Sequence, residues 1–246
     1  MYDLSDKIIL VFGGTGELMG NIAIGLFDNK AKVIIIGRDE EKAKKIIDKT
    51  NIDFFKFDIL NDNVDILFEQ IYKKYCYIDM IINGAGINSA TPLLDIQDFE
   101  INKIFEVNFN FVVRCCQLYI RNTLDLGRKG KILNIGSVSG INPLSKVFMY
   151  SASKAALHNF SKNIAREYGN RGILTNILVP GFFPAEQNKQ ILSKKRTELI
   201  FGQTPMNRFG DPNELIGMVL LLASNASSFI NGAELIIDGG YCVTKI

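Results

Sequence analysis

The chain has 246 residues, 47% of them apolar, and its 28 basic side chains nearly match 26 acidic ones, for a net charge of +2. That balance leaves no basic footprint for nucleic acid, and no apolar run approaches the roughly 18 residues of a membrane span. Four cysteines without Cys-x-x-Cys spacing (Cys76, Cys115, Cys116 and Cys242) and one histidine, His158, offer too few ligands for a metal site. The opening residues Met1 to Lys7 lack a basic region ahead of an apolar core, so a soluble cytoplasmic protein is expected.

Short apolar runs of strand length alternate with stretches of helical period. Ile8 to Phe12 is the first strand candidate and Leu18 to Asn29 the first helix candidate; Lys32 to Ile36 and Asp39 to Lys49 follow. Asp53 to Phe57, Asn63 to Tyr75, Ile78 to Ile82 and Asn102 to Leu126 continue the alternation. Lys131 to Ile135, Val147 to Gly169, Leu174 to Val179, Pro212 to Ala223 and Ala233 to Ile237 complete it. Near-continuous apolar strands are those buried on both faces of a parallel sheet. The expected fold is therefore a single α/β domain over residues 1–246: a doubly wound Rossmann architecture, a mostly parallel seven-stranded sheet with helices on both faces.

Such a sheet binds ligands beyond the carboxyl ends of its strands. The first strand runs into Gly13-Gly14-Thr15-Gly16-Glu17-Leu18-Met19-Gly20, where glycines let backbone approach a pyrophosphate and a helix N-terminus favours anions. Glu17 is compatible with that if it points outward at the start of its helix. The second strand ends in Gly37-Arg38-Asp39, where an NAD-selecting fold places an acidic side chain; Gly37 supplies none, and the Arg38 guanidinium suits a 2′-phosphate. NADP(H) is thus favoured, with NAD(H) possible, and Asp39 fits a helix N-cap.

After the third strand, Asp58 can accept a bond from an adenine amino group or help cap the helix near Asn63. Asn83-Gly84-Ala85-Gly86 would floor the cofactor site. Asn108 lies among apolar neighbours in a helical stretch, where a buried amide implies a function or a local kink. Tyr150 and Lys154 stand four residues apart on one helix face, with Ser137 upstream at the end of an apolar run. An ammonium beside a phenol favours phenolate, so the spacing predicts a lowered Tyr150 pKa and a proton exchanged near neutrality.

With these motifs, and with Pro180-Gly181 and Asp238-Gly-Gly-Tyr241, the chain from Lys7 to Tyr241 resembles the short-chain dehydrogenase/reductase superfamily. The resemblance implies that Ser137 orients the substrate carbonyl, Tyr150 is the general acid or base, Lys154 binds nicotinamide ribose while lowering the tyrosine pKa, and Asn108 holds a relay water. It implies cofactor contacts from Gly13, Gly14, Thr15, Gly16, Leu18 and Met19, from Gly37, Arg38, Asp58 and Ile59, and from Asn83, Gly84 and Ala85. Tyr150, Lys154, Pro180, Gly181 and Phe183 complete that set. Phe182 joins Ser137 and Tyr150 toward the substrate.

The run from Pro180 to Asn188 and the run from Thr204 to Gly210 are similar to the fructuronate reductase and gluconate 5-dehydrogenase type, which implies a sugar acid, polyol or other sugar-derived ketone. Leu18 stands where most members have the middle glycine, and Ala185 where they commonly have a threonine. A substrate lid is expected at about 183–208. The apolar side chains of the 102–126 helix, among them Phe105, Phe109, Phe111, Val112, Cys115, Leu118 and Tyr119, predict burial against another subunit, and the resemblance implies a homotetramer or homodimer. His158 is expected to be packed or interfacial. The other readings are a 3-oxoacyl carrier-protein reductase and a catalytically silent dinucleotide-binding protein.

Overall fold

The computed structural model describes residues 2–184 and 194–243. Seven strands, β1 (Ile8–Phe12), β2 (Lys32–Gly37), β3 (Asp53–Lys56), β4 (Met80–Asn83), β5 (Gly130–Ile135), β6 (Ile173–Pro180) and β7 (Glu234–Ile237), form one sheet. Their order is β3-β2-β1-β4-β5-β6-β7, and all six pairings are parallel. The winding reverses between β1 and β4, which opens a crevice at their carboxyl ends.

Alternation along each strand explains the two layers of helices. Ile9 and Val11 of β1, with Val33 and Ile35 of β2, pack toward α1 (Glu17–Asp28) and α8 (Ile216–Ala223), where Ile22, Leu26, Val219 and Leu222 meet them. Leu10, Phe12, Ile34 and Ile36 point the other way, onto α3 (Val64–Tyr75), α5 (Phe111–Asp125) and α6 (Phe148–Tyr168). Each such side chain contributes roughly 1.5–3 kcal/mol when fully buried, so both faces must be covered. The expected doubly wound α/β sheet is the one found.

Three expectations change in detail. The helix expected over 102–126 begins earlier, as α4 (Asp98–Phe105), and is interrupted by a π turn (Glu106–Asn110) before α5. Such bulges mark places where another demand overrides the i→i−4 ladder, and Asn108 sits inside this one. Of the seven side chains read as facing another subunit, Phe111, Val112, Cys115 and Tyr119 are buried in the chain's own core. Phe105, Phe109 and Leu118 stay half-buried, with Phe109 edge-on to Phe160 at 5.7 Å. Finally, Pro212–Leu215 is a 3-10 turn ahead of α8, held by a capping box between Asp211 and Glu214, whose carboxylate also accepts two bonds from Arg208 at 2.7 and 2.8 Å.

Two short helices flank these layers: α2 (Glu40–Ile47) after β2 and α7 (Lys194–Gly202) ahead of β7. The lid expected at 183–208 falls partly outside the described residues, as do Ala185, Ile191 and Leu192 within it. Its described portion includes α7, in which Ile200 is buried and Leu199 exposed.

Candidate active site

The first turn is shaped by two glycines. Gly13 has φ +76°, and a Cβ there would lie 2.8 Å from the Ala85 nitrogen; one on Gly14 would lie 2.5 Å from the Ile35 Cβ. Gly16 is the N-cap of α1 with no side chain closing it, and Glu17 is exposed in the first helical turn, where the dipole favours it. Leu18 is half-buried against the α1 core, and Met19 is buried with its sulfur over Gly84, 2.3 Å from where a Cβ would stand. The β1 and β4 loops are therefore interlocked, through Gly13 on Ala85 and Met19 on Gly84.

Thr15 performs the same task against β2. A Cβ at Gly37 would lie 2.4 Å from the Thr15 hydroxyl, so the Thr15 side chain occupies the space a side chain at 37 would need. Arg38 next to it is exposed, and Asp39 caps α2 by accepting from the Lys42 amide at 3.0 Å, as expected. Asp58 turns onto its own loop, accepting from the Leu60 amide and the Asn61 side chain, both at 3.0 Å. The cap of α3 is Asn63, and Ile59 is half-buried against the α3 core. The Asn83 amide is 2% exposed and donates to Asn134 at 2.7 Å, which in turn donates to Ser161 at 2.8 Å. Its side chain thus ties β4 to β5 and α6.

At the carboxyl ends of β4 and β5 the remaining polar groups converge. A Cβ at Gly86 would lie 3.4 Å from Asn108 Oδ1 and 3.7 Å from Lys154 Nζ. The fully buried Asn108 amide accepts from the Ile87 amide at 2.8 Å and donates to the Ile87 carbonyl at 2.9 Å and the Ser153 hydroxyl at 3.0 Å. Those bonds pin the β4 loop to α6 and account for the π turn. Ser137 caps the turn after β5, and its oxygen accepts from the Ser139 amide at 3.2 Å and the Ser139 hydroxyl at 3.0 Å. With both lone pairs engaged, its proton is left to donate, and Tyr150 is the side chain beside it.

The predicted lowering of the Tyr150 pKa is not found; burial raises it, with the Ser137 hydroxyl pulling the other way. Lys154 is buried, donates to the Ile135 carbonyl at 2.7 Å, lies 5.8 Å from the Tyr150 ring centroid, and is itself brought down to about 8 by burial. Desolvation penalises both charged forms here and sets the direction of both shifts.

Along β6, Pro180 pairs with Ile237, and a Cβ on Gly181 would lie 2.7 Å from the Asp238 Cα. Phe182 stacks edge-on with Tyr241 at 5.0 Å. The Phe183 ring is buried in the α1 core and fills the space a Cβ on Gly210 would need.

A family model described as enoyl-(acyl carrier protein) reductase matches residues 20–242. The chain belongs to the short-chain dehydrogenase/reductase family. It is 32% identical over 244 residues to a 3-oxoacyl-(acyl-carrier-protein) reductase of Chlamydia muridarum, covering 96% of this chain and 98% of that one. It is 31% identical to a gluconate 5-dehydrogenase of Gluconobacter oxydans, over 99% of this chain and 98% of that one. The crystal structure of a gluconate 5-dehydrogenase from Burkholderia cenocepacia in complex with NADP and tartrate superposes with a TM-score of 0.92 at 28% identity, covering 99% and 98% of the two chains. This short-chain dehydrogenase/reductase is accordingly an oxidoreductase of CH–OH groups. Three of its site contacts are absent from the motif reading: Ser139 behind Ser137, Ser153 of α6, which accepts from Asn108, and His158, whose imidazole meets the Ser137 backbone. Ser153 and His158 lie on the Tyr150–Lys154 helix, where helical spacing was the available signal.

Proposed function

We propose that this enzyme interconverts a ketone and a secondary alcohol on a sugar acid, polyol or related sugar-derived compound, with NADP(H) favoured over NAD(H). The observation that carries the reading is the Ser137 hydroxyl, which accepts from the Ser139 amide and hydroxyl and stands beside Tyr150, so that its own proton is left for an oxygen placed there. The dinucleotide suits the Gly13–Gly14 turn, the uncapped start of α1, the bare backbone at Gly37 and the exposed Arg38. When bound, its nicotinamide supplies or accepts the hydride.

The chain's own residues supply position and protons. Ser137 donates to the substrate oxygen, and Tyr150 gives it a proton in reduction or takes one in oxidation. Lys154 holds the ribose and compensates charge at the phenol, while Asn108 fixes the loop opposite and extends the proton path. Phe182 borders the substrate. A cytoplasmic homotetramer or homodimer is the proposed working state.

The identity to gluconate 5-dehydrogenase supports the sugar-acid substrate. The relative from Chlamydia muridarum supports a second reading, a 3-oxoacyl carrier-protein reductase, for which the exposed Lys194 and Lys195 of α7 would meet an acidic carrier. One panel separates them: wild type, Tyr150→Phe and Arg38→Leu assayed with NADPH and NADH against keto-gluconates, other sugar-derived ketones and a 3-oxoacyl carrier protein. Tyr150→Phe is expected to lose about 10²–10⁴-fold in turnover, and Arg38→Leu about 10–100-fold in NADPH affinity with NADH unaffected. Equal turnover by wild type and Tyr150→Phe would refute the acid–base assignment, and tighter binding of NADH by wild type the cofactor preference.

A further inference from the structure

Behind the catalytic serine, the imidazole of His158 is 4% exposed and stands one helical turn beyond Lys154. Its Nε2 accepts the Ser137 backbone amide at 3.2 Å. Its Nδ1 lies 3.2 Å from Glu234 Oε1, an electrostatic contact without hydrogen-bond geometry, and the same oxygen pairs with Lys162 at 2.7 Å. Gly136 permits this approach, since a Cβ there would lie 2.1 Å from Nε2. An imidazole that accepts at Nε2 must carry its proton on Nδ1, the tautomer that a carboxylate at Nδ1 selects.

We propose that His158, as the neutral Nδ1–H tautomer backed by Glu234, is a positioning residue that anchors the Ser137 backbone and so sets the serine hydroxyl. The proposal rests on the reading of Ser137 and Tyr150 as the reacting pair. Protonation would place a second N–H on Nε2, donor against donor at the Ser137 amide, and release the anchor. Among the described residues the charges around it are Lys154 and Lys162 on α6 and Glu234 on β7; β6 carries none, and Lys131 of β5 is committed to the Leu222 carbonyl and the Ser227 hydroxyl. Burial and the two lysines disfavour the imidazolium while Glu234 favours it, and the net direction is downward. The anchor is therefore intact at neutral pH and is lost on acidification below the ordinary imidazole range.

The single histidine of the chain makes this directly readable. In tag-free protein, imidazole ¹⁵N shifts should show Nδ1 protonated and Nε2 bare at pH 7.5, with a change on acidification at the pH where kcat falls. His158→Leu should lose about 10–100-fold in kcat, keep its KM for NADPH and lose the acid inflection. His158→Gln, whose side-chain oxygen can accept the same amide, should recover most of the rate without the inflection. Glu234→Gln should move the inflection to lower pH, and it carries the test should His158→Leu fail to fold. A proton on Nε2 at neutral pH, or an unchanged rate and profile in His158→Leu, would overturn the proposal. Should wild type reduce none of the ketones yet show the Nδ1–H tautomer, the reading of the reaction fails and the anchor stands.

Discussion

Lys154 is folded into a place that disfavours its charge. Burial brings its amine down to about 8 in the fold from an ordinary 10.5, so between those values the unfolded chain keeps a proton that the folded chain has released. Stability contributed through this group therefore rises with pH across that window and is at its lowest below it. Lys131, also brought down to about 8 by burial, acts in the same direction; subtraction isolates Lys154. Lys154→Met is expected to be inactive yet more stable than wild type at pH 7.5, by about 1–3 kcal/mol. The gap should shrink by pH 9.5, as read from urea midpoints; an equal gap at both pH values would show that the lysine is not strained. The helical spacing made Lys154 legible as a partner of Tyr150. The direction of both titrations was not, because desolvation depends on what the sheet and loops place around them.

At the scale of elements, the β1–α1 turn and the β4 loop act as one unit through Met19 and Gly84. Glycine-rich sequence announced the turn, but part of the reason for glycine lies in contacts from distant segments: Ala85 for Gly13 and Ile35 for Gly14, as Thr15 is for Gly37 at the end of β2. Gly84→Ala forces a Cβ into the Met19 thioether and is expected to cost about 1–3 kcal/mol. In a Met19→Ala background the same change should cost less, a coupling of about 0.5 kcal/mol or more. Identical costs in both backgrounds, measured by denaturant unfolding, would remove Met19 as the reason for glycine at 84. The π turn follows the same logic: an unfavoured amide in an apolar helix pointed to Asn108, and its bonds to Ile87 and Ser153 supply the cause.

For the whole molecule, much of the apolar surface read as intersubunit turned out to serve the chain's own core. What remains is the half-buried Phe105, Phe109 and Leu118, with Phe99 72% and Phe229 101% exposed. In sedimentation velocity the protein is expected to run as two or four chains, and Phe109→Glu to shift it toward one; a wild type that runs as one chain would refute the proposed assembly.

The sequence by itself determined the strand and helix alternation, the doubly wound class and the placing of Tyr150 and Lys154 on one helix face, because periodicity and helical spacing are local properties of the chain. Only the tertiary structure decided that Phe183 belongs to the core, that Thr15 closes the space at Gly37, and that His158 reaches the Ser137 backbone. Each of these depends on which distant segment is brought within a few ångströms, and the parallel pairing of β1, β2, β4, β5 and β6 sets that proximity.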